Sequence, residues 1–123
     1  MAASPGRIGD RRTFLALRRS TCRVRRGGVT VALSDAGSLG PVRVAYSVGR
    51  SVGTSVRRNR TRRRLRAVVG EAYRKGELGP GSYLVSVGHG AAHSSFTELR
   101  AMTRDALTIA CSAGDRVKEQ SRE

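Results

Sequence analysis

The sequence predicts an α+β fold with one core, built from several short strands and amphipathic helices. Two segments, Val29–Leu33 and Val42–Val48, carry apolar residues at alternate positions, as strands with one buried face do. A longer segment, Ser55–Arg74, instead repeats its apolar residues at spacings of three and four, which indicates an amphipathic helix. The 123 residues suit one domain with one modest core.

The first predicted elements are a flexible tail and a short helix. Residues 1–9 are mostly Ala, Ser, Pro and Gly, and we expect them to form a flexible basic tail. Asp10 can cap a helix over Arg11–Arg19, because its carboxylate can accept a hydrogen bond from a first-turn amide. Phe14 and Leu17 would then share one face of that helix.

Three strand segments follow the first helix. Arg23–Arg25 could form a short strand before Val29–Leu33. The turn-forming residues of Ser34–Pro41 then lead into Val42–Val48. One face of this last strand carries Val42, Val44, Tyr46 and Val48.

The long helix presents two different faces, and Thr54 or Ser55 is available as its N-cap. Its apolar stripe consists of Thr61, Leu65, Val68 and Ala72. The opposite side carries Asn59, Arg60, Arg63 and Arg66. One helix therefore packs on the core and offers a row of guanidinium groups to a partner.

The remaining chain predicts one more strand, Tyr83–Val87, and one more helix capped by Ser94 or Ser95. Apolar residues recur in that helix at Phe96, Leu99, Met102 or Thr103, and Ala106 or Leu107. We expect residues 112–123 to be a disordered tail. A single domain would then span residues 10–111.

The charge of the chain points to a polyanionic partner. The formal net charge is +15, with a pI near 11.7. Seven of the ten residues from Arg57 to Arg66 are Arg, and no acid lies between Asp35 and Glu71. Like charges three and four apart destabilise a helix, so such density is explained best by a partner that binds it. Arginine binds phosphate through a planar fork, which makes a nucleic acid the expected partner.

Other classes of protein fit the sequence poorly. Cys22 and Cys111 do not make a disulfide framework, which favours a reducing cytoplasm. No apolar run is long enough to span a membrane, and the basic N-terminus lacks the apolar stretch of a signal peptide. We therefore expect a cytoplasmic protein whose partners include neither a membrane nor a small-molecule substrate.

Catalytic and metal-binding patterns are also lacking in the sequence. His89 and His93 are four apart, but two ligands do not hold zinc and no third ligand is near in sequence. Gly49–Gly53 lacks the Gly-Lys-Ser/Thr ending of a phosphate-binding loop. No carboxylate pair and no Ser-His-Asp or Cys-His order appears in a suggestive context. We expect no catalytic residue and no metal ligand in the protein itself.

Val48–Arg66 resembles the signature of the bacterial ribonuclease P protein subunit, roughly Val-Ser-Lys-Lys-Val-Gly-x-Ala-Val-x-Arg-Asn-Arg-x-Lys-Arg-x-x-Arg. Its central triplet matches Arg58-Asn59-Arg60, with Val52, Gly53 and Val56 in register before it. The chain departs from the family where the paired lysines become Arg50 and Ser51. It departs again at Gly88-His89, where the family has a basic residue.

The resemblance implies the order α-β-β-β-α-β-α, with a small sheet packed against helices. This would be a two-layer α/β sandwich of the ribosomal-protein-like kind, with a left-handed βαβ crossover. It also implies a ribonucleoprotein endonuclease that removes the 5′ leader from precursor tRNA. Ribonuclease P RNA would carry the active site and the Mg²⁺ ions, and the protein would bind that RNA and the leader. The residues expected at the RNA subunit are Arg50, Arg57, Arg58, Asn59, Arg60, Arg62, Arg63, Arg64 and Arg66.

The single-stranded leader is expected to bind at Phe14, Arg18, Arg43 and Tyr46, since aromatic rings stack on unpaired bases of any sequence. For Phe14, a position in the core is an equal alternative, and Tyr46 has the same ambiguity. Two other classes of protein remain open at this point. One is a ribosomal or ribosome-assembly protein without a nuclease role, and the other is a DNA-binding nucleoid protein.

Overall fold

The computed structural model describes residues 5–20, 22–34, 41–91 and 94–120, and their side chains as far as Cys111. Within these ranges the chain forms five strands and three α-helices. The strands are β1 (Gly6–Arg7), β2 (Arg23–Arg26), β3 (Val29–Ser34), β4 (Val42–Val48) and β5 (Gly81–Val87). The α-helices are α1 (Arg11–Arg18), α2 (Ser55–Arg74) and α3 (Phe96–Gln120), and short 3-10 turns lie at Arg50–Val52 and His89–Ala91.

All five strands belong to one sheet, in the order β1-β4-β5-β3-β2. β2 and β3 form an antiparallel hairpin, and β3 is antiparallel to β5. β4 and β5 are parallel neighbours, so α2 has to cross between them over the sheet. The α+β class and the predicted order of the main elements are confirmed, whereas the handedness of the crossover remains an expectation from the family.

The two faces of the sheet are buried by different helices. Val31, Val44 and Val85 point to the face that α2 and α3 cover, where Leu65 and Leu107 complete the main core. The alternate side chains point to α1 on the other face, in a smaller cluster of Leu17, Ala32 and Leu84. The sandwich of sheet and two long helices therefore carries a third, short helix on its outer side.

The helices start where the sequence predicts. The Asp10 carboxylate accepts a hydrogen bond from Thr13 N at 2.9 Å, and Thr54 Oγ1 accepts one from Arg57 N at 3.3 Å. At the start of α3, Ser95 Oγ accepts from Glu98 N while the Glu98 carboxylate accepts from Ser95 N, which forms a capping box. These caps satisfy amide groups that have no partner inside a helix.

The two ends of the chain differ from the predicted tails. Gly6 and Arg7 pair in parallel with Arg43 and Val44, because the outer edge of β4 offers unpaired amide and carbonyl groups. α3 continues as a helix to Gln120, beyond the predicted end of the domain at residue 111. The predicted turn over 34–41 lies largely outside the described residues.

Candidate nucleic-acid interface

The arginines of α2 lie on both flanks of its buried stripe as well as on its outer side. Leu65 and Val68 are fully buried and Thr61 is half-buried, so the predicted stripe faces the core. On one flank, Arg62 and Arg66 point towards the edge of β4. On the other flank, Arg57, Arg60 and Arg64 line a shallow cavity near the start of α3.

None of the seven arginines from Arg57 to Arg66 pairs with an acid among the residues that the structure describes. Four arginines elsewhere in the described ranges do pair with acids: Arg26 with Asp105, Arg43 with Asp10, Arg100 with Glu71, and Arg104 with Glu77. The acids that form these ion pairs therefore neutralise arginines that join one element of the fold to another. The cations of α2 remain available to a partner.

The central triplet of α2 is held by local hydrogen bonds. Arg58 Nη2 donates to Ser55 Oγ at 3.2 Å, while its buried Nε has no hydrogen-bond partner in the described part of the chain. Asn59 Oδ1 accepts from Arg62 Nη1 at 2.9 Å. These bonds orient the side chains and leave donor groups that an anion can satisfy.

A groove of about 510 Å³ lies at the edge of the sheet where β1 pairs with β4, and Gly6 and Arg7 are part of its lining. Phe14 and Ile8 line one side of it, and Tyr46, Arg62 and Arg66 line the other. The Arg66 guanidinium lies 5.7 Å from the centre of the Tyr46 ring, within the range of a cation–π contact. The groove is therefore both aromatic and basic.

The two aromatic rings reach this groove from opposite faces of the sheet. Tyr46 packs against the main core below α2, whereas Phe14 packs with Leu17 in the small cluster below α1. Burial raises the pKa of Tyr46 to about 12, although the nearby Arg66 acts in the opposite direction. The Tyr46 hydroxyl therefore remains a hydrogen-bond donor at neutral pH.

The other expected leader residues lie on the α1 side. The Arg18 guanidinium is 6.0 Å from the centre of the Phe14 ring. Arg43 is half-buried and donates to Asp10 Oδ1 at 3.5 Å and to Ser82 Oγ at 3.3 Å, which fixes its position between α1 and the sheet. Phe14, Arg18 and Arg43 thus share one side, and Tyr46 meets them only at the edge groove.

A polar row on the same side of the sheet escaped the sequence analysis. The strand register places Arg25, Thr30, Ser86 and Ser47 next to one another across four strands. Each lies at an even spacing from the sheet residues that α1 covers, such as Ala32 and Leu84, and alternates with the main-core residues. They therefore face the side of the sheet opposite α2 and α3. The sequence does show Ser and Thr at alternate positions within the strands. Their alignment across strands follows from the pairing register of the sheet, which the sequence alone does not give.

The two positions that depart from the family signature contact each other. His89 Nδ1 donates a hydrogen bond to the Ser51 carbonyl oxygen at 3.2 Å, and the exposed Arg50 lies beside Ser51 in the same 3-10 turn.

His93 lies outside the described residues. No group of three or more His, Cys, Asp or Glu side chains within the described ranges could hold a metal ion. Among those residues, no helix is long and apolar enough to cross a membrane.

The fold and this surface define a small basic RNA-binding protein. The family model of ribonuclease P matches residues 3–111. The fold is similar to that of the ribonuclease P protein of Staphylococcus aureus, at 19% identity and a TM-score of 0.73 over 85% of this chain and 94% of that one. It is also similar to the Thermotoga maritima ribonuclease P protein, at 21% identity and a TM-score of 0.69 over 83% of this chain and 94% of that one.

The chain belongs to the ribonuclease P protein family, as the protein subunit of the ribonucleoprotein endonuclease that removes the 5′ leader from precursor tRNA. Its partners are ribonuclease P RNA and precursor tRNA. In this family the RNA subunit carries out catalysis and uses metal ions. The family match favours this function over the ribosomal alternative.

Proposed function

We propose that the arginines of α2 bind phosphates of ribonuclease P RNA. The observation that carries the proposal is that none of the seven arginines from Arg57 to Arg66 has an acidic partner among the described residues. The arginines that do pair with described acids belong to other elements, namely Arg26, Arg43, Arg100 and Arg104. A phosphate backbone supplies the missing negative charge, and each contact releases counterions. The proposed contacts are Arg50, Arg57, Arg58, Asn59, Arg60, Arg62, Arg63, Arg64 and Arg66.

The leader of precursor tRNA is assigned to the groove and to the α1 side of the sheet. Phe14 and Tyr46 offer rings for unpaired bases, and Arg18 and Arg43 offer charge for the phosphates between them. Ring stacking tolerates any base, as an enzyme that acts on many precursor tRNAs requires. The polar row would extend this path, because the hydroxyl groups of Thr30, Ser86 and Ser47 can donate hydrogen bonds to the leader.

The metal ions of the reaction are assigned to the RNA subunit, and we take them to be Mg²⁺. Arginines that neutralise nearby backbone lower the repulsion between RNA strands and so favour metal binding by the RNA. We place both surfaces on one RNA-binding domain, residues 10–111 with β1 added to it, and the protein in the cytoplasm.

The assignment of α2 is tested by the salt dependence of binding. Arg58→Ala and Arg60→Ala should each weaken binding to a bacterial ribonuclease P RNA and reduce the magnitude of the salt slope by about one. Arg26→Ala is the matched control, because Arg26 is exposed and paired with Asp105 on the far side of α3. Unchanged affinity and slope in both α2 variants would remove this helix from the interface.

The role of the protein in the metal requirement is tested by cleavage of precursor tRNA. With native protein, cleavage by the RNA subunit should continue at low Mg²⁺. With the variant that combines Arg58→Ala and Arg60→Ala, it should require more Mg²⁺. Protein alone, freed of RNA, should leave the substrate intact. Equal Mg²⁺ requirements for the native and variant complexes would contradict the proposed effect on metal binding.

A further inference from the structure

The ring of Phe96 is exposed beside the arginines of α2. It is the first residue of α3, and 42% of its surface is exposed. The Arg64 guanidinium lies 5.9 Å from the centre of this ring. Phe96 is thus an aromatic group on the same surface as the proposed phosphate contacts.

Packing alone gives a weak reason for an aromatic residue at this position. α2 and α3 are already joined by the Glu71–Arg100 ion pair and by the buried side chain of Leu99. An exposed cation–π pair contributes only weakly to stability. With 42% of its surface exposed, the ring gains only part of the stabilisation that full burial would give.

The surroundings of Phe96 suit an anion next to an aromatic group. Arg64 also lines the cavity of about 220 Å³ between α2 and the start of α3, together with Arg57 and Arg60. A volume this small suits a phosphate group better than a complete small molecule. The nearest acid in sequence, Glu98, accepts a hydrogen bond from Ser95 N in the capping box. Three guanidinium groups and an exposed ring therefore lie within reach of one nucleotide.

We propose that Phe96 and Arg64 form a stacking site for one unpaired base of ribonuclease P RNA, with Arg57 and Arg60 on the adjoining phosphate. This site rests on the proposed function of α2 and adds base stacking to its charge contacts. The ring face binds a base of any identity because every base has a π-face. The site lies on the α3 flank of α2, opposite the groove assigned to the leader.

Tryptophan fluorescence tests the contact directly. The chain contains no tryptophan, so Phe96→Trp introduces a single one. Addition of ribonuclease P RNA should quench its emission and protect it from acrylamide. Thr108→Trp is the control, because Thr108 is exposed on α3 about three turns beyond Phe96 and away from the arginines of α2. Equal responses of the two tryptophans to RNA would overturn the proposal.

The affinity of Phe96 variants for the RNA subunit, measured at several salt concentrations, distinguishes base stacking from phosphate contacts. Phe96→Ala should weaken binding to the RNA subunit by about 5- to 150-fold and leave the salt slope unchanged, because no phosphate contact is lost. Phe96→Tyr should bind like the native protein. Thermal unfolding of each variant establishes that the fold is intact.

The outcomes separate this inference from the function of α2. Native-like binding by Phe96→Ala, together with weakened binding by Arg60→Ala, would overturn the stacking site and leave the proposed function standing. Native-like binding by both would overturn both proposals. If native protein alone self-associates and Phe96→Ala abolishes this without weakening RNA binding, the ring belongs to a contact between copies, and the proposal fails.

Discussion

Glu71 and Arg100 join α2 to α3 through a bidentate ion pair. Arg100 Nη2 donates to Oε1 of the carboxylate at 2.6 Å, and Arg100 Nε donates to Oε2 at 3.2 Å. Lys75 and Arg104 also donate to Oε1. The hydrogen bonds from Arg100 first, and then that from Lys75, lower the pKa of Glu71 from 4.5 to about 2.

This cluster predicts a loss of stability in acid. Because the pKa of Glu71 is lower in the folded state, its contribution to stability is complete above about pH 4.5 and is lost as the pH falls through 2. Denaturant unfolding between pH 2 and pH 7 measures this dependence. Glu71→Gln should be less stable at pH 7 and should lose less stability in acid. A native-like pH dependence in this variant would show that other carboxylates dominate.

Gly28 allows the β2–β3 hairpin to pack closely on the turn at 89–91. A Cβ atom added at Gly28 would lie 2.2 Å from Ala91 N and 2.6 Å from the Gly90 carbonyl carbon. Because these are backbone atoms, Gly28→Ala should cost at least about 1–3 kcal/mol of stability. Gly88→Ala is the control, since a Cβ there meets no atom of the described residues within 4 Å. Equal midpoints of urea unfolding for the two variants would show that this turn can move.

The sequence predicts the long elements of this fold well. The bounds of α2 and β4 coincide with those predicted, because a capping residue and a sustained period define them locally. The pairing of Gly6 and Arg7 was not predicted, because two residues show no period and the partner strand is 37 positions away. Pairing of this kind depends on which edge of the sheet is free.

The sequence predicts which residues make up the candidate site better than it predicts which face of the fold each of them occupies. Helical spacing places the arginines around α2, but it does not say that Arg62 and Arg66 face β4 while Arg57 and Arg64 face α3. Strand alternation places Tyr46 with the core residues of β4, yet it does not reveal which face of the sheet α1 covers. These relationships depend on tertiary packing, which no local pattern encodes.

Leu65 tests whether the inner side of α2 acts through stability alone. Its side chain is fully buried in the main core, although its neighbours along α2 are arginines. Leu65→Ala should therefore cost about 2–5 kcal/mol in unfolding free energy. Val56→Ala on the same helix should change stability by at most about 0.5 kcal/mol, because Val56 is largely exposed. At temperatures where both variants are folded, the salt slope for RNA binding should be native-like. A reduced slope for Leu65→Ala would mean that the defect rearranges the arginines.

Phe14 tests the assignment of the leader. Its ring is half-buried at the groove, so Phe14→Ala should remove a stacking surface for an unpaired base. Binding of the reconstituted ribonucleoprotein to precursor tRNA should weaken by about 1–3 kcal/mol. Binding to mature tRNA should change little, because that RNA has no leader to stack.

The comparison of the two RNAs also separates contact from misfolding, because Phe14 packs with Leu17 in the small cluster. A defect in that cluster would displace α1 and weaken both complexes alike. Leu15→Ala on the same helix is the matched control, since Leu15 is exposed and does not line the groove. Its two affinities should both stay native-like. Equal losses on precursor and mature tRNA for Phe14→Ala would make Phe14 a packing residue and remove it from the leader site.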